Sequence, residues 1–184
     1  MELIKRLIIF IQYVLNYPRY ILRHNDVSIK SRIMPNVFLR NTKVGDYCFI
    51  GSYCDISFTS IGNYTCIANG VVIGGMEHPY WELSISPQLS KEFVYGKMTT
   101  IGHDVWIATG SIVKQGIHIG DGAVIGANSY VNQDVPAYSI VFGTPAKVYK
   151  YRDAKQKEEL LNKTRYWELT PSEAIKKINS IKYE

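Results

Sequence analysis

The feature that most constrains this chain is a period of six residues. From Ile101 to Pro136 the sequence divides into IGHDVW, IATGSI, VKQGIH, IGDGAV, IGANSY and VNQDVP, with an aliphatic side chain at 101, 107, 113, 119, 125 and 131. An α-helix repeats about every 3.6 residues and a half-buried strand every 2, so neither accounts for this beat. It describes a repeat architecture in which each unit stacks on another, with three hexads to one triangular coil. A rougher version begins at Val27 and runs through Ile33, Leu39, Val44, Ile50, Ile56, Ile61, Ile67 and Ile73. Two of its units have five residues, each after a third hexad, so Val27 to Val44 and Val44 to Ile61 are both 17 positions apart. The deletion therefore sits at a repeated corner.

Between Gly74 and Ile101 the beat is lost, and it then resumes in register. A loop over 75–100 has been extruded from the barrel, and loops of that length inside a compact domain are commonly functional. It holds Glu77, His78, Tyr80, Trp81, Ser84 and Ser86. The expected fold is mainly β, a parallel β-helix of about five coils with an extruded active-site loop, an N-terminal amphipathic helix and a C-terminal helix. The corresponding segments are 1–26 for the first helix, 27–146 for the β-helix and 147–184 for a basic tail and helix.

The chain of 184 residues is 46 % apolar and 20 % charged, an ordinary globular composition with room for one domain and terminal appendages. Its net charge of +5 is unevenly placed. Residues 1–43 carry eight basic and two acidic side chains, 44–146 carry three and eight, and 147–184 carry ten and six. The folded body is acidic and both ends are basic, which excludes a DNA-binding barrel and leaves phosphorylated ligands or an anionic membrane open. Cys48, Cys54 and Cys66 are an odd number without a CxxC pair, against a disulfide framework or a thiolate zinc site. Cys48 and Cys54 fall where later repeats carry Val105, Ser111, Ala123 and Ser129, and so fill a cramped inner corner.

At the N-terminus, Leu3, Ile4, Leu7, Ile8, Ile11, Val14 and Leu15 recur at helical spacing until Pro18 ends or bends the segment, with Lys5, Gln12, Asn16, Arg19 and Arg23 on an opposing polar stripe. Two readings stand: a cap over the open end of the barrel, or peripheral membrane contact through residues 1–23. The stretch is too short to span a bilayer, and Gln12 with no small-residue cleavage site argues against a signal peptide. At the other end, Thr170 to Glu173 forms a capping box with Pro171 at the first helical position, and Tyr166 and Trp167 anchor the tail.

The hexads, the run IGHDVWIATGSIVKQGIHIGDGAVIGANSYVNQDVPAYSIVFGTPAKVYKYR and the loop start EHPYWELSISP resemble the left-handed β-helix (hexapeptide-repeat) acyltransferases, in the branch of sugar or polysaccharide O-acetyltransferases and xenobiotic acetyltransferases. The resemblance covers about Val27 to Trp167. It implies a homotrimer with acetyl-CoA in clefts between neighbouring barrels, and His78 at the position of the family's general base; the cysteine usage points to a reducing compartment, so a cytoplasmic location is expected. An imidazole can take the proton of an attacking hydroxyl, a contribution of about 10²–10⁴-fold. The resemblance also implies that Thr109 and Ala127 meet the pantetheine arm through backbone groups, with Trp106 and Ala108 walling the cleft. Asn132 and Gln133 stand where many relatives have Thr-Lys, which shifts the burden of holding the CoA phosphates to Lys147 and Lys150. Glu77, Tyr80, Trp81 and Ser84 are expected at the acceptor, with Asp55 of a neighbouring barrel beside His78.

The expected activity is acetyl-CoA-dependent O-acetylation of a saccharide hydroxyl. The alternatives within the class are N-acetylation of a nucleotide-linked amino sugar and O-acetylation of an antibiotic. A zinc enzyme on the same barrel needs two closely spaced histidines, and His24, His78, His103 and His118 offer no such pair, so no metal is expected. A noncatalytic scaffold would not require His78 in an aromatic loop.

Overall fold

The computed structural model describes residues 2–86, 88–90 and 97–182. Its body is a parallel β-helix with three flat faces. On the first face Val27, Val44, Ile61, Ile101 and Ile119 stand in one ladder, extended by a single bridge to Val135. Ile33, Ile50, Ile67, Ile107, Ile125 and Val141 line the second. Leu39, Ile56, Ile73, Val113 and Val131 line the third. The chain thus makes five complete coils and two faces of a sixth, one partial coil more than the hexads suggest. Every one of these side chains except Ile33 is buried. Each coil contributes one aliphatic side chain per face, so burial of the periodic positions is what closes the bore.

The three vertices differ. Six residues separate the first face from the second and the second from the third in every coil. All irregularity falls between the third face and the first. Leu39 to Val44 and Ile56 to Ile61 take five residues there, Val131 to Val135 takes four, and Ile73 to Ile101 contains the loop. A length change at a corner leaves the inward set of the flanking strands intact, whereas the same change within a face would turn core side chains to solvent. The five-residue corners are shallow enough that strands Phe38–Val44 and Asp55–Ile61 run round them unbroken. Cys48 and Cys54 occupy inner corners as expected, their thiols donating to the carbonyls of Gly62 and Ala68 at 3.0 Å. Burial pushes the Cys48 thiol up to about 11, which removes it from thiolate chemistry.

The helix α1 spans Glu2–Leu22 and continues through Pro18. Pro18 lies on the outward side of the helix wheel, so the carbonyl it leaves unpaired faces water and the helix need not end there. Tyr20 is buried and Tyr13 packs beside it against the core, at the first coil. Gln12, Asn16, Arg19 and Arg23 line a cavity of about 300 Å³ between helix and barrel, shared with Met34, Pro35 and Asn36. The helix therefore meets the barrel with its polar side and turns its apolar side outward. The side chains of Leu3 and Lys5 lie outside the described residues. Among those residues no helix is long and apolar enough to cross a membrane.

After the last rung the chain reverses over Gly143 to Pro145, and Ala146–Tyr151 pairs antiparallel with Ser139–Gly143. The expected boundary at 147 thus falls inside a strand that shields the edge of the second face. Helices α2 (Glu158–Thr164) and α3 (Pro171–Lys182) follow, and the Glu173 carboxylate accepts the Thr170 backbone N–H at 3.0 Å, completing the N-terminal cap. The segment between them clamps the vertex joining the first and second faces. Tyr166 donates to Asp104 at 2.9 Å, Trp167 stacks on His103 at 5.0 Å, and Tyr64 donates to the Leu169 carbonyl at 2.6 Å. One of three vertices is therefore sealed by the tail, and these contacts leave the other two uncovered.

Candidate active site

Gly74 and Gly75 begin the loop, with φ of +75° and +108°. A Cβ at Gly74 would stand 2.0 Å from the Ser57 carbonyl oxygen, so the exit from the barrel requires a glycine there. Glu77 then pairs with Lys114 at 3.2 Å, which ties the loop to the same vertex one coil further on. The loop also folds on itself. The Ser84 hydroxyl accepts the Ser86 N–H at 3.2 Å, and the Tyr80 N–H donates to the His78 carbonyl at 2.8 Å. Positions 87 and 91–96 lie outside the described residues.

His78 is exposed, and its Nδ1 lies 2.8 Å from the Ile85 carbonyl oxygen. A carbonyl only accepts, so Nδ1 carries the proton and Nε2 holds the free lone pair. The imidazole is thus oriented by the loop's own backbone. Tyr80 and Trp81 pack edge to face with centroids 5.1 Å apart, an exposed aromatic surface beside the imidazole. Asp55 stands exposed on the outer surface of the third face, opposite Val72 in register. No contact joins it to the His78 of the same chain among the described residues.

The cofactor candidates fall into two groups. Trp106, exposed, and Ala108, buried, lie on the second face, and Thr109 and Ala127 follow at the vertex between the second face and the third. Thr109 and Ala127 are exposed, and their backbone N–H groups have no acceptor among the described residues. Free corner donors beside small side chains fit an extended amide-bearing arm. Lys147 is opposite Phe142 in register, next to this vertex, and Lys150 is opposite Ile140 at the other margin of the face. Between the two lysines Phe142 and Tyr149 make an aromatic contact at 5.1 Å. Asn132 and Gln133, by contrast, sit at the vertex of the third and first faces, where the loop leaves.

One chain therefore brings His78, Glu77, Asn132 and Gln133 to one vertex and Thr109, Ala127 and Lys147 to another. Three neighbours of these residues escaped sequence reasoning: the Ile85 carbonyl, Lys114 and the Phe142–Tyr149 pair. Lys114 occupies the hexad position of Gly74 one coil later, so the register could have indicated it. A backbone acceptor leaves no such signal.

A coiled parallel barrel interrupted by one histidine-bearing loop defines the class of hexapeptide-repeat acyltransferases. The bacterial transferase hexapeptide family (six repeats) matches residues 41–75 and 98–133, on either side of the loop. A chloramphenicol acetyltransferase of Morganella morganii is 32 % identical over 158 residues, covering 69 % of this chain and 75 % of that protein. Among solved structures, a maltose O-acetyltransferase from Clostridium difficile 630 is 31 % identical with a TM-score of 0.59, covering 67 % of each chain. A hexapeptide-repeat acetyltransferase of Vibrio cholerae O1 biovar eltor, complexed with acetyl coenzyme A, is 28 % identical with a TM-score of 0.63, covering 80 % of this chain and 84 % of its own. The chain belongs to the bacterial transferase hexapeptide family and is an acetyltransferase with its left-handed β-helix fold.

Proposed function

We propose that the protein transfers the acetyl group of acetyl-CoA to a saccharide hydroxyl, with His78 as general base. The observation that carries this reading is the hydrogen bond from His78 Nδ1 to the Ile85 carbonyl at 2.8 Å, which leaves Nε2 free in an exposed loop. Nε2 takes the proton of the acceptor hydroxyl as its oxygen bonds to the thioester carbonyl carbon. Collapse of the tetrahedral intermediate breaks the C–S bond, and the imidazolium returns the proton to the departing thiolate. The products are the acetyl ester and CoA.

Tyr80 and Trp81 offer a stacking surface suited to a sugar ring, and Glu77 and Ser84 supply polar contacts. Trp106, Ala108, Thr109 and Ala127 line the donor's path, with Lys147 and Lys150 near its phosphates and Asn132 and Gln133 at the loop vertex. Because base and pantetheine donors occupy different vertices of one barrel, the site is assembled between copies, as a homotrimer would assemble it. Asp55 of the neighbouring barrel then joins the acceptor side. The enzyme works in the cytoplasm, where acetyl-CoA is made. The similarity to a maltose O-acetyltransferase supports a saccharide acceptor, and that to a chloramphenicol acetyltransferase keeps an antibiotic hydroxyl as the second reading.

The test is His78→Ala assayed with acetyl-CoA and a panel of glycans, amino-sugar nucleotides and chloramphenicol. The variant should bind acetyl-CoA normally and lose about 10²–10⁴-fold in turnover. Undiminished transfer would overturn the role of His78, and CoA release with amines or chloramphenicol but no glycan would overturn the saccharide assignment.

A further inference from the structure

The outward side of α1 is a continuous apolar surface that the fold leaves uncovered among the described residues. Ile4, Leu7, Ile8, Ile11, Leu15 and Leu22 project from one continuous arc of the helix, and Leu15 and Leu22 are 73 % and 80 % exposed. Phe10, Val14 and Ile21 widen that arc to about half the circumference at ~100° per residue. The opposite side is already committed to the barrel through Tyr13 and Tyr20. A helix held by its polar side with its apolar side free has no further partner within the described chain.

Charge selects the occupant. Arg19 lies on the wheel directly beside Ile8 at the margin of the arc, and it is exposed without a carboxylate partner among the described residues. Arg32, on the outer surface of the first coil, is likewise exposed and unpaired among them. Residues 1–43, the helix and first coil, carry eight basic against two acidic side chains, while 44–146 carry three against eight. A second copy packed on this face would bring two basic ends together. An anionic surface instead attracts the basic end and repels the acidic coils, and because residues 147–184 are basic as well, it is the apolar arc of α1 that fixes the orientation.

We infer that α1 is an interfacial anchor that docks the N-terminal end of the barrel on an anionic lipid membrane. An apolar arc of this width, with Arg19 at its margin and Arg32 on the adjoining coil, lies in the headgroup plane and does not cross the bilayer. The consequence for function rests on the saccharide reading above. The loop leaves the third coil and Glu77 is tied to Lys114 of the fourth, two to three rungs of ~4.8 Å beyond the first, so the loop is anchored on the order of 10–15 Å above the first coil. That height suits the first sugars of a saccharide carried on a membrane lipid.

The test uses the full-length protein in co-sedimentation with vesicles of phosphatidylcholine alone and of phosphatidylcholine with phosphatidylglycerol. The protein should pellet with the anionic vesicles, release on raising the salt, and ignore the neutral ones. Leu7→Gln/Ile11→Gln/Leu15→Gln should weaken binding by at least about a hundred-fold, and Arg19→Gln/Arg32→Gln by about ten-fold. All these positions face solvent, so the variants should keep the wild-type circular dichroism and transfer to a soluble acceptor. Equal partition into both vesicle types, or none, overturns the inference. So does a triple variant that binds vesicles normally but loses its oligomeric state, which would give the face to a second copy. Because sedimentation needs neither substrate, its outcome is independent of the acetyl-transfer assay.

Discussion

Gly74→Ala is the substitution that most directly probes how the barrel releases the loop that carries His78, and Gly70→Ala is its control. Both glycines have a left-handed backbone, φ +75° at Gly74 and +68° at Gly70. Placing alanine there costs about 1–2 kcal/mol at either site. The two differ in what the new methyl meets. At Gly70 no atom lies within 4 Å, whereas at Gly74 the Ser57 carbonyl oxygen is 2.0 Å away. That oxygen belongs to a strand paired with the rung that carries Ile73, so it moves only with the strand. The chain must instead lift at 74, breaking the bond from the Gly74 N–H to the Val113 carbonyl, now 3.0 Å, for about 1 kcal/mol more. Gly74→Ala should thus cost about 2–3 kcal/mol and Gly70→Ala about 1–2 kcal/mol. A chain of this size loses about 2–4 °C of Tm per kcal/mol, so calorimetry should separate the two. The loop displacement is read by kcat at saturating acetyl-CoA. A shift of about 1 Å at the base can cost about a hundred-fold, expected for Gly74→Ala and not for Gly70→Ala. Equal losses of Tm and of kcat in both variants would refute the argument that close approach to Ser57 shapes the loop exit.

The acid response should run through His103. Burial holds its imidazole below the ordinary 6.5, opposed by the Asp121 and Glu168 carboxylates, and its Nδ1 accepts the Asn63 N–H at 2.9 Å. A base whose folded pKa is depressed contributes stability that is complete above about pH 6.5 and lost as pH falls through the folded value. Tm should therefore decline between about pH 7 and pH 5, and a His103→Phe variant, which keeps the stack on Trp167, should show a flatter profile over that range. On the acceptor side, Asp55→Asn should raise the acceptor KM and leave kcat nearly unchanged, since the His78 tautomer is held by Ile85; a loss confined to kcat would instead assign Asp55 to orienting the base.

Much of this molecule is legible in the sequence because one physical constraint repeats. Only a side chain of aliphatic size fills the bore at each face of each coil, so positions such as Ile50, Ile67, Ile107 and Ile125 announce the ladder they form. The loop is legible for the same reason, as the place where that constraint lapses. The sixth coil was obscured because Val135 follows Val131 by four residues, which breaks the beat although the rung is still built. The orienting partner of His78 was hidden because a carbonyl is common to every residue, and only the folded path of the loop selects Ile85.

Helix α1 illustrates a harder limit. Its apolar stripe reads equally well as a cap, since apolar surface normally turns inward. The barrel end, however, presents only the few inner side chains of one coil, Val27, Ile33 and Leu39, and Tyr13 and Tyr20 already pack there. An arc half the circumference wide cannot be covered by so narrow an end. The geometry of the receiving surface, not the pattern of the helix, decides which side faces out. The same geometry assigns the vertices. The tail seals the one between the first and second faces, Thr109 and Ala127 present N–H groups without an acceptor among the described residues at the next, and the third absorbs every change of length, including the loop that carries His78. Under the function proposed above, a barrel with one sealed vertex and two unlike open ones would complete its site by setting the loop vertex of one copy against the Thr109 and Ala127 vertex of another.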